Sequence, residues 1–219
     1  MNFILTSAGI TSKSIADAVV DLSGQKKSGI KLVFIPTAAN VEEGDKDWLI
    51  NDLIHFKEQG YASIDIVDIV ALPREKWQPR IEAANIICIG GGDEQYLVQE
   101  MRRTGFADLL PELLKTRLYI GISAGSMVVG KLLQGEPLWT IYPEDRKDGK
   151  GEKGLEFLDL YLIPHYKSPY FSNKRKEILE KVGRPLDSKL YAIDDQSALK
   201  IVDNKIEVIS EGDVLVIDK

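Results

Sequence analysis

The chain has 219 residues, of which 44% are hydrophobic and 28% charged, and its formal net charge is -6. These values are typical of one soluble domain spanning residues 1–219, and the acidic balance argues against a nucleic-acid-binding surface. A single cysteine, Cys88, excludes an intrachain disulfide framework and suits a reducing compartment. Because the first residues carry neither a basic segment nor a long apolar stretch, we expect a cytoplasmic protein without a membrane partner.

Short β-rich runs alternate with amphipathic stretches over the first two-thirds of the chain. The middle runs are apolar on both faces, as in strands that helices cover on each side. This alternation predicts a doubly wound, mostly parallel α/β sheet that binds its ligands beyond the carboxyl ends of the strands. The predicted strands are residues 3–6, 31–35, 63–70, 85–89 and 117–120, and the predicted helices are residues 13–22, 42–59, 74–84, 94–104 and 106–115.

The last third of the chain has a different pattern. One more strand and one helix are followed by four short strands separated by turns, and Asp203-Asn204 suits a tight hairpin turn. We therefore predict a small antiparallel C-terminal meander beside the main sheet. The predicted strands here are residues 161–164, 190–193, 198–202, 206–209 and 214–217, and the predicted helix is residues 173–182.

The most informative motif is G-x-S-x-G at residues 121–125, which contains Ser123. It lies between an apolar run and residues 127–133, which can form a helix. Strand, G-x-S-x-G and helix together are typical of a nucleophilic serine held on a sharp turn at the carboxyl end of a sheet. The helix that follows adds oriented N–H groups, which favour a developing oxyanion. Ser123 is therefore the candidate nucleophile.

A serine hydroxyl needs a base, and the chain has only two histidines. His55 lies in a predicted amphipathic helix and is read as a packing or surface residue. His165 directly follows the strand at residues 161–164, so it leaves the sheet at the edge where Ser123 should stand. Because a free imidazole titrates near neutral pH, with a pKa of about 6.5, histidine is an effective base in this range, and His165 is the candidate general base.

The imidazole needs a carboxylate that fixes its tautomer. Glu136 follows the predicted helix after the serine, while Asp194 and Asp195 follow a later strand. Each of these carboxylates could reach His165, and the residues by themselves do not rank them.

Glycines at residues 90–92 follow the strand at residues 85–89 and free the backbone to direct N–H groups at a ligand. Together with the N–H of Ala124, they would form an oxyanion hole. The turn matches neither G-x-x-x-x-G-K-[ST] nor G-x-G-x-x-G, so it gives little support to nucleotide binding.

Four motifs in order give the chain a family resemblance: Gly-Gly-Gly-Asp at residues 90–93, Gly-Ile-Ser-Ala-Gly-Ser at residues 121–126, Pro-His-Tyr at residues 164–166 and Ile-Asp-Asp-Gln-Ser-Ala-Leu at residues 193–199. With these, the chain resembles the peptidase E (α-aspartyl dipeptidase) and cyanophycinase family of serine peptidases over nearly its whole length. The resemblance implies a class I glutamine-amidotransferase-like, flavodoxin-like fold and peptide hydrolysis through an acyl-enzyme, without metal or cofactor.

The same resemblance implies roles for individual residues. It makes Ser123 the nucleophile and His165 the base. The oxyanion donors would be Gly91, with its neighbour Gly92, and Ala124. Among the carboxylates, Glu136 looks closest to the family's third catalytic residue, and Asp195 matches a second family acid near the histidine.

The chain departs from peptidase E in its candidate substrate-binding residues. Peptidase E uses an arginine downstream of the histidine to hold a substrate aspartate, and Phe171 occupies that position here. Asp-Glu also replaces the usual Asn-Thr after the glycines, so specificity for an amino-terminal aspartate is not expected. The candidate substrate-binding residues are Asp93, Glu94, Lys174 and Arg175.

The leading hypothesis is a serine peptidase acting on small peptides. One alternative is an α/β-hydrolase-type esterase, which the four strands predicted after His165 disfavour. Another is a non-catalytic domain that binds a small ligand in the glycine-lined cleft. The resemblance alone suggests a homodimer.

Overall fold

The computed structural model describes residues 1–218, apart from the side chains of residues 147 and 148. Ten strands and eight α-helices alternate along this part of the chain, together with 3₁₀ segments at Lys27–Gly29, Thr37–Val41 and Pro143–Asp148. The strands are β1 Asn2–Thr6, β2 Lys31–Ile35, β3 Ser63–Ile66, β4 Ile86–Ile89, β5 Leu118–Ile122, β6 Leu160–Ile163, β7 Lys189–Ile193, β8 Ser197–Val202, β9 Lys205–Ser210 and β10 Val214–Ile217. The helices are α1 Lys13–Ser23, α2 Asp47–Glu58, α3 Arg74–Glu82, α4 Glu94–Arg103, α5 Phe106–Leu113, α6 Ala124–Met127, α7 Glu136–Ile141 and α8 Lys176–Gly183.

The main sheet has seven strands in the order β3-β2-β4-β5-β1-β8-β9. The first five run parallel, β8 pairs antiparallel with β1, and β9 pairs antiparallel with β8. Strands β4 and β5 are buried at every position because helices cover both faces. The carboxyl ends of β1, β4 and β5 therefore meet at one edge. The predicted fold class, a mostly parallel α/β sheet, is confirmed.

The C-terminal strands are divided between two sheets. Strands β8 and β9 form a hairpin on the main sheet, closed at Asp203 and Asn204, whose φ angles of 48° and 64° suit a two-residue turn. Strand β7 instead pairs in parallel with β6 and antiparallel with β10 in a separate three-stranded sheet. The antiparallel part that was predicted is present, but it extends over both sheets because the chain crosses between them at residues 194–196.

Helix α6 is a single turn, whereas the sequence predicts a helix over residues 127–133. After α6 the chain pairs with β6 through a hydrogen bond of 2.8 Å from the N–H of Lys131 to the carbonyl of Leu160. The β-branched pair at residues 128–129 and the glycine at residue 130 do not favour a longer helix. This pairing fixes β6, and hence the residues that follow it, close to the end of β5.

Other boundaries differ from the prediction by a few residues. Helix α2 begins at Asp47, because Gly44 in the predicted first turn has a φ of 82°. Strand β3 ends at Ile66, since the carboxylate of Asp68 accepts the N–H of Val70 and turns the chain. Within the described residues, no helix combines the length and the apolar character that a membrane span requires.

Candidate active site

Ser123 stands on a sharp turn directly after β5. Its φ of 49° and ψ of -112° are rare for a residue with a side chain, and such backbone strain costs about 1–3 kcal/mol. The turn is held by hydrogen bonds from the Ser123 N–H to the carbonyl of Thr6 (3.0 Å) and from the N–H of Ser126 to the Ser123 carbonyl (2.8 Å). Gly125 is required here, because a Cβ would lie 2.2 Å from the carbonyl oxygen of Ile89.

His165 stands two residues beyond β6, with its ring beside Ser123. The distance from its Nε2 to the Oγ of Ser123 is 3.1 Å, within hydrogen-bond reach. Its own φ is 62°, and this second uncommon conformation is fixed on both sides. The His165 N–H donates to the Oγ of Ser7 (2.8 Å), and the next residue, Tyr166, donates to the carbonyl of Ile193 (3.0 Å).

Asp195 is hydrogen-bonded to Nδ1, the other nitrogen of the His165 ring. Its Oδ1 lies 2.7 Å from Nδ1 of His165. Burial alone would raise the pKa of the Asp195 carboxyl, but the hydrogen bonds from His165 and Ser7 outweigh it and hold the pKa below its ordinary value. An ionised Asp195 accepts from Nδ1–H, so the hydrogen-bond network assigns the tautomer in which Nε2 is free to accept the Ser123 proton.

Ser7 is a member of this network that the sequence analysis did not single out. It is fully buried after β1, and its Oγ lies 2.6 Å from Oδ1 of Asp195 and 3.2 Å from Nδ1 of His165. One hydroxyl thus donates to the carboxylate and accepts the backbone N–H of His165. A signal was present in the sequence, since Ser7 follows a parallel strand just as Ser123 does and therefore reaches the same sheet edge.

Of the three carboxylates that the sequence left open, the structure does not place Glu136 on the ring of His165. Both ring nitrogens are engaged, Nε2 by Ser123 and Nδ1 by Asp195, and Glu136 is an exposed residue at the start of α7. Asp194 is turned away as well. Its carboxylate accepts from the N–H of Asp213 (2.6 Å) and the hydroxyl of Ser197 (2.6 Å), so it fixes the crossing between the two sheets.

The glycine loop after β4 lies against Ser123. A Cβ on Gly91 would stand 3.3 Å from the Cβ of Ser123. The flanking Gly90 and Asp93 donate their N–H groups to backbone carbonyls, but in the part of the chain that the structure describes no acceptor takes the N–H of Gly91 or Gly92. Ala124 is the first residue of α6, so its N–H has no partner within the helix.

Two of the four predicted substrate-binding side chains form hydrogen bonds with the protein's own backbone. The Asp93 carboxylate caps α4 by accepting the N–H of Tyr96 (2.7 Å). The Arg175 guanidinium donates to the carbonyls of Ser168 (2.9 Å) and Phe171 (3.0 Å). Both charged groups are thus engaged with backbone groups of the protein itself.

The other two, Glu94 and Lys174, are buried with 6% and 2% of their surface exposed. Burial raises the pKa of the Glu94 carboxyl and lowers the pKa of the Lys174 ammonium to about 8. The Nζ of Lys174 lies 4.1 Å from the ring centroid of Phe171 and 4.7 Å from that of Tyr142. Lys174 is thus held by two aromatic rings.

Phe171 links Lys174 to the imidazole. Its ring stacks on that of His165 with centroids 5.0 Å apart and an interplanar angle of 15°. The residue at the position of the peptidase E arginine therefore covers one face of the ring of His165. Among the described residues there is no cluster of His, Cys, Asp and Glu side chains that could hold a metal ion.

The fold and the site define a class: an α/β protein with the class I glutamine-amidotransferase-like fold and a serine on a strained turn beside a histidine. The model of Peptidase family S51 matches residues 3–209, so the chain belongs to this family. Membership makes it a serine-type peptidase, and the resemblance to peptidase E is confirmed.

Individual relatives agree with this assignment. The chain is 28% identical over 202 residues to the uncharacterized peptidase PM1590 of Pasteurella multocida (strain Pm70), covering 89% of this chain and 91% of that protein. It is 26% identical over 147 residues to peptidase E of Haemophilus influenzae (strain PittGG), covering 62% and 58%.

Solved structures show the same fold. A candidate peptidase E protein from Listeria monocytogenes EGD-e superposes with a TM-score of 0.75 at 24% identity, covering 96% of this chain and 98% of the other. A peptidase from an acI-B1 Actinobacterium gives a TM-score of 0.70 at 22% identity, covering 97% and 88%.

Proposed function

We propose that the protein hydrolyses small peptides through an acyl-enzyme on Ser123, with His165 as general base and Asp195 as its acidic partner. The observation that carries this proposal is the continuous chain of contacts from Ser123 Oγ to His165 Nε2 (3.1 Å) and from His165 Nδ1 to Asp195 Oδ1 (2.7 Å). Membership of a peptidase family supports the same reaction.

In the first step, the Ser123 oxygen attacks the scissile carbonyl carbon while Nε2 of His165 takes the hydroxyl proton. Negative charge develops on the carbonyl oxygen, and the free N–H groups of Gly91, Gly92 and Ala124 would receive it. Collapse breaks the C–N bond, and the imidazolium gives its proton to the leaving amine. Water, deprotonated by His165, then releases the acid and restores the serine.

Asp195 and Ser7 act on the base and not on the substrate. An ionised Asp195 stabilises the imidazolium that forms during both steps. The Ser7 hydroxyl fixes the carboxylate and the backbone of His165 at once, so that Nε2 points at Ser123 in the resting protein. Such preorganisation lowers the barrier because the groups need not reorient during reaction.

Substrate preference follows from the same side chains. With an aromatic ring at Phe171 and a guanidinium at Arg175 that is bound to backbone carbonyls, we propose that the enzyme does not require an amino-terminal aspartate. The esterase and the non-catalytic binding domain gain no specific support, because the chain is a member of a peptidase family.

Labelling with a fluorophosphonate tests the reaction directly, since the probe phosphonylates an activated serine and releases fluoride. We expect labelling at Ser123 in the wild-type protein, none in Ser123→Ala, and a rate lower by about 10⁴-fold or more in His165→Ala. The matched control is His55→Ala, which removes the chain's other histidine and should react at the wild-type rate. Undiminished labelling of Ser123→Ala would contradict the proposal.

A further inference from the structure

A buried carboxyl on α2 lies beside the candidate site, and in the part of the chain that the structure describes it has no hydrogen-bond partner. Asp52 belongs to the inward face of α2, and only 6% of its surface is exposed. Among residues 1–218 the carboxyl oxygens of Asp52 make neither a hydrogen bond nor an ion pair. Burial raises the pKa of this carboxyl to about 7. Buried carboxyls are normally paired or hydrogen-bonded, so an unpaired one needs an explanation.

The neighbours of Asp52 are the segments that present the site. Its Oδ1 lies 3.0 Å from the point where a Cβ on Gly9 would stand, and Gly9, with a φ of 77°, leaves room for the carboxyl. The side chain of Ile122 approaches the same point to 3.4 Å. Gly9 is two residues beyond Ser7, and Ile122 directly precedes Ser123. The carboxyl is thus next to two of the strand ends that form the site.

One helical turn earlier, the same face of α2 reaches the glycine loop. The ring of Trp48 lies 3.6 Å from the position of a Cβ on Gly91, and that position is 3.3 Å from the Cβ of Ser123. Residues four apart share a helix face, so Asp52 lies on the face of α2 from which Trp48 reaches the glycine loop. This side differs from that of His165, Asp195 and Ser7, where every polar group has a partner.

We propose that Asp52 binds an ammonium group of the substrate, namely the free amino terminus of the peptide that Ser123 attacks. The inference rests on the proposed function. An α-amino nitrogen lies only about 2.5 Å from the carbonyl carbon of its own residue, so it must bind close to the nucleophile. A cation is the partner that an unpaired buried carboxylate lacks, and a charged hydrogen bond here would select amino-terminal residues for cleavage. A lysine side chain offers the same chemistry, and the experiment separates the two sources.

The test compares alanine p-nitroanilide, N-acetyl-alanine p-nitroanilide and N-acetyl-lysine p-nitroanilide on the wild type and on Asp52→Asn. We expect Asp52→Asn to lower kcat/KM for the free-amine substrate by about 10- to 100-fold, mainly through KM, and to leave both acetylated substrates unchanged. Asp47→Asn, an exposed carboxylate on the same helix, is the matched control and should behave as the wild type. Fluorophosphonate labelling at the wild-type rate shows that Asp52→Asn is folded with its nucleophile intact.

An equal loss on free and acetylated alanine substrates overturns the inference, as does a loss confined to the acetylated lysine substrate, which would assign the ammonium to a side chain. If the wild type is labelled at Ser123 but acetylation and Asp52→Asn have no effect, this inference alone is wrong. If Ser123 is not labelled at all, the proposed function is wrong and the inference with it.

Discussion

The two sheets contribute different halves of the candidate site. The seven-stranded sheet supplies Ser123, the glycine loop and Ser7, all directly after parallel strands. The three-stranded sheet supplies His165 after β6 and Asp195 after β7. The part that contains Ser123 is therefore formed by short-range turns, whereas His165 and Asp195 are positioned by long-range contacts, among them the hydrogen bonds of both residues with Ser7. The 3.1 Å contact between Ser123 and His165 spans the junction between the two sheets.

The largest effect on kcat is expected from removing the charge of the Asp195 carboxylate. Asp195→Asn should lower kcat on the order of 10³- to 10⁴-fold, because an amide no longer stabilises the imidazolium or fixes its tautomer. Glu136→Gln, on the exposed start of α7, should retain activity within about twofold, as expected for a surface substitution outside the network. Steady-state kinetics of the two variants decide between the acids, and an inactive Glu136→Gln beside an active Asp195→Asn would reverse the assignment.

An intermediate effect is expected at the junction itself. Ser7→Ala removes the hydroxyl that joins the Asp195 carboxylate to the backbone of His165. We expect kcat to fall by about 10- to 100-fold with little change in KM, and the pH–rate profile to shift, since a charged hydrogen bond is worth about 1.5–3 kcal/mol.

The matched control for Ser7→Ala is Thr11→Ala, whose hydroxyl donates to the backbone carbonyl of Asp195 (2.6 Å) and not to its carboxylate. It should lower kcat by less than about fivefold, because the contact leaves the charge on the carboxylate unchanged. If the two substitutions lower kcat equally and neither changes the pH profile, Ser7 has only a structural role.

The smallest effect concerns stability and comes from Lys174. Its pKa in the folded protein, about 8, is below its ordinary value of 10.5 because the ammonium is buried. Between pH 8 and 10.5 the unfolded chain therefore binds more protons than the folded one, and stability rises with pH in this window. Below pH 8 the buried charge reduces the free energy of unfolding by up to about 3 kcal/mol.

Lys174→Met should remove this dependence. We expect the variant to be more stable than the wild type at pH 7, by about 1–3 kcal/mol, and the difference to shrink as pH rises from 8 to 10.5. Urea denaturation of both proteins across this pH range measures the difference in their free energies of unfolding. A variant that is less stable at pH 7 would mean that the contacts of Lys174 with Tyr142 and Phe171 outweigh the burial of its charge.

The sequence by itself determined the features that depend on neighbouring residues. Alternation of apolar strands and amphipathic helices predicted the parallel sheet, and G-x-S-x-G after a strand identified the turn at Ser123. The two φ-positive residues Asp203 and Asn204 were recognisable as a hairpin turn for the same local reason. His165 could be chosen as the candidate base because only one of the two histidines follows a predicted strand.

Only the tertiary structure decided which carboxylate meets the imidazole. In the sequence, Glu136 follows a predicted helix and Asp194 and Asp195 follow a predicted strand, and neighbouring carboxylates in one turn have nearly identical sequence surroundings. The three-stranded sheet directs Asp195 towards His165 and Asp194 into the crossing between sheets. The strand before Ser7 places it at the sheet edge, but its contacts with Asp195 and His165, and the position of Asp52, were decided by the tertiary structure. Contacts between residues far apart in the chain depend on how sheets and helices pack, and no local pattern encodes that packing.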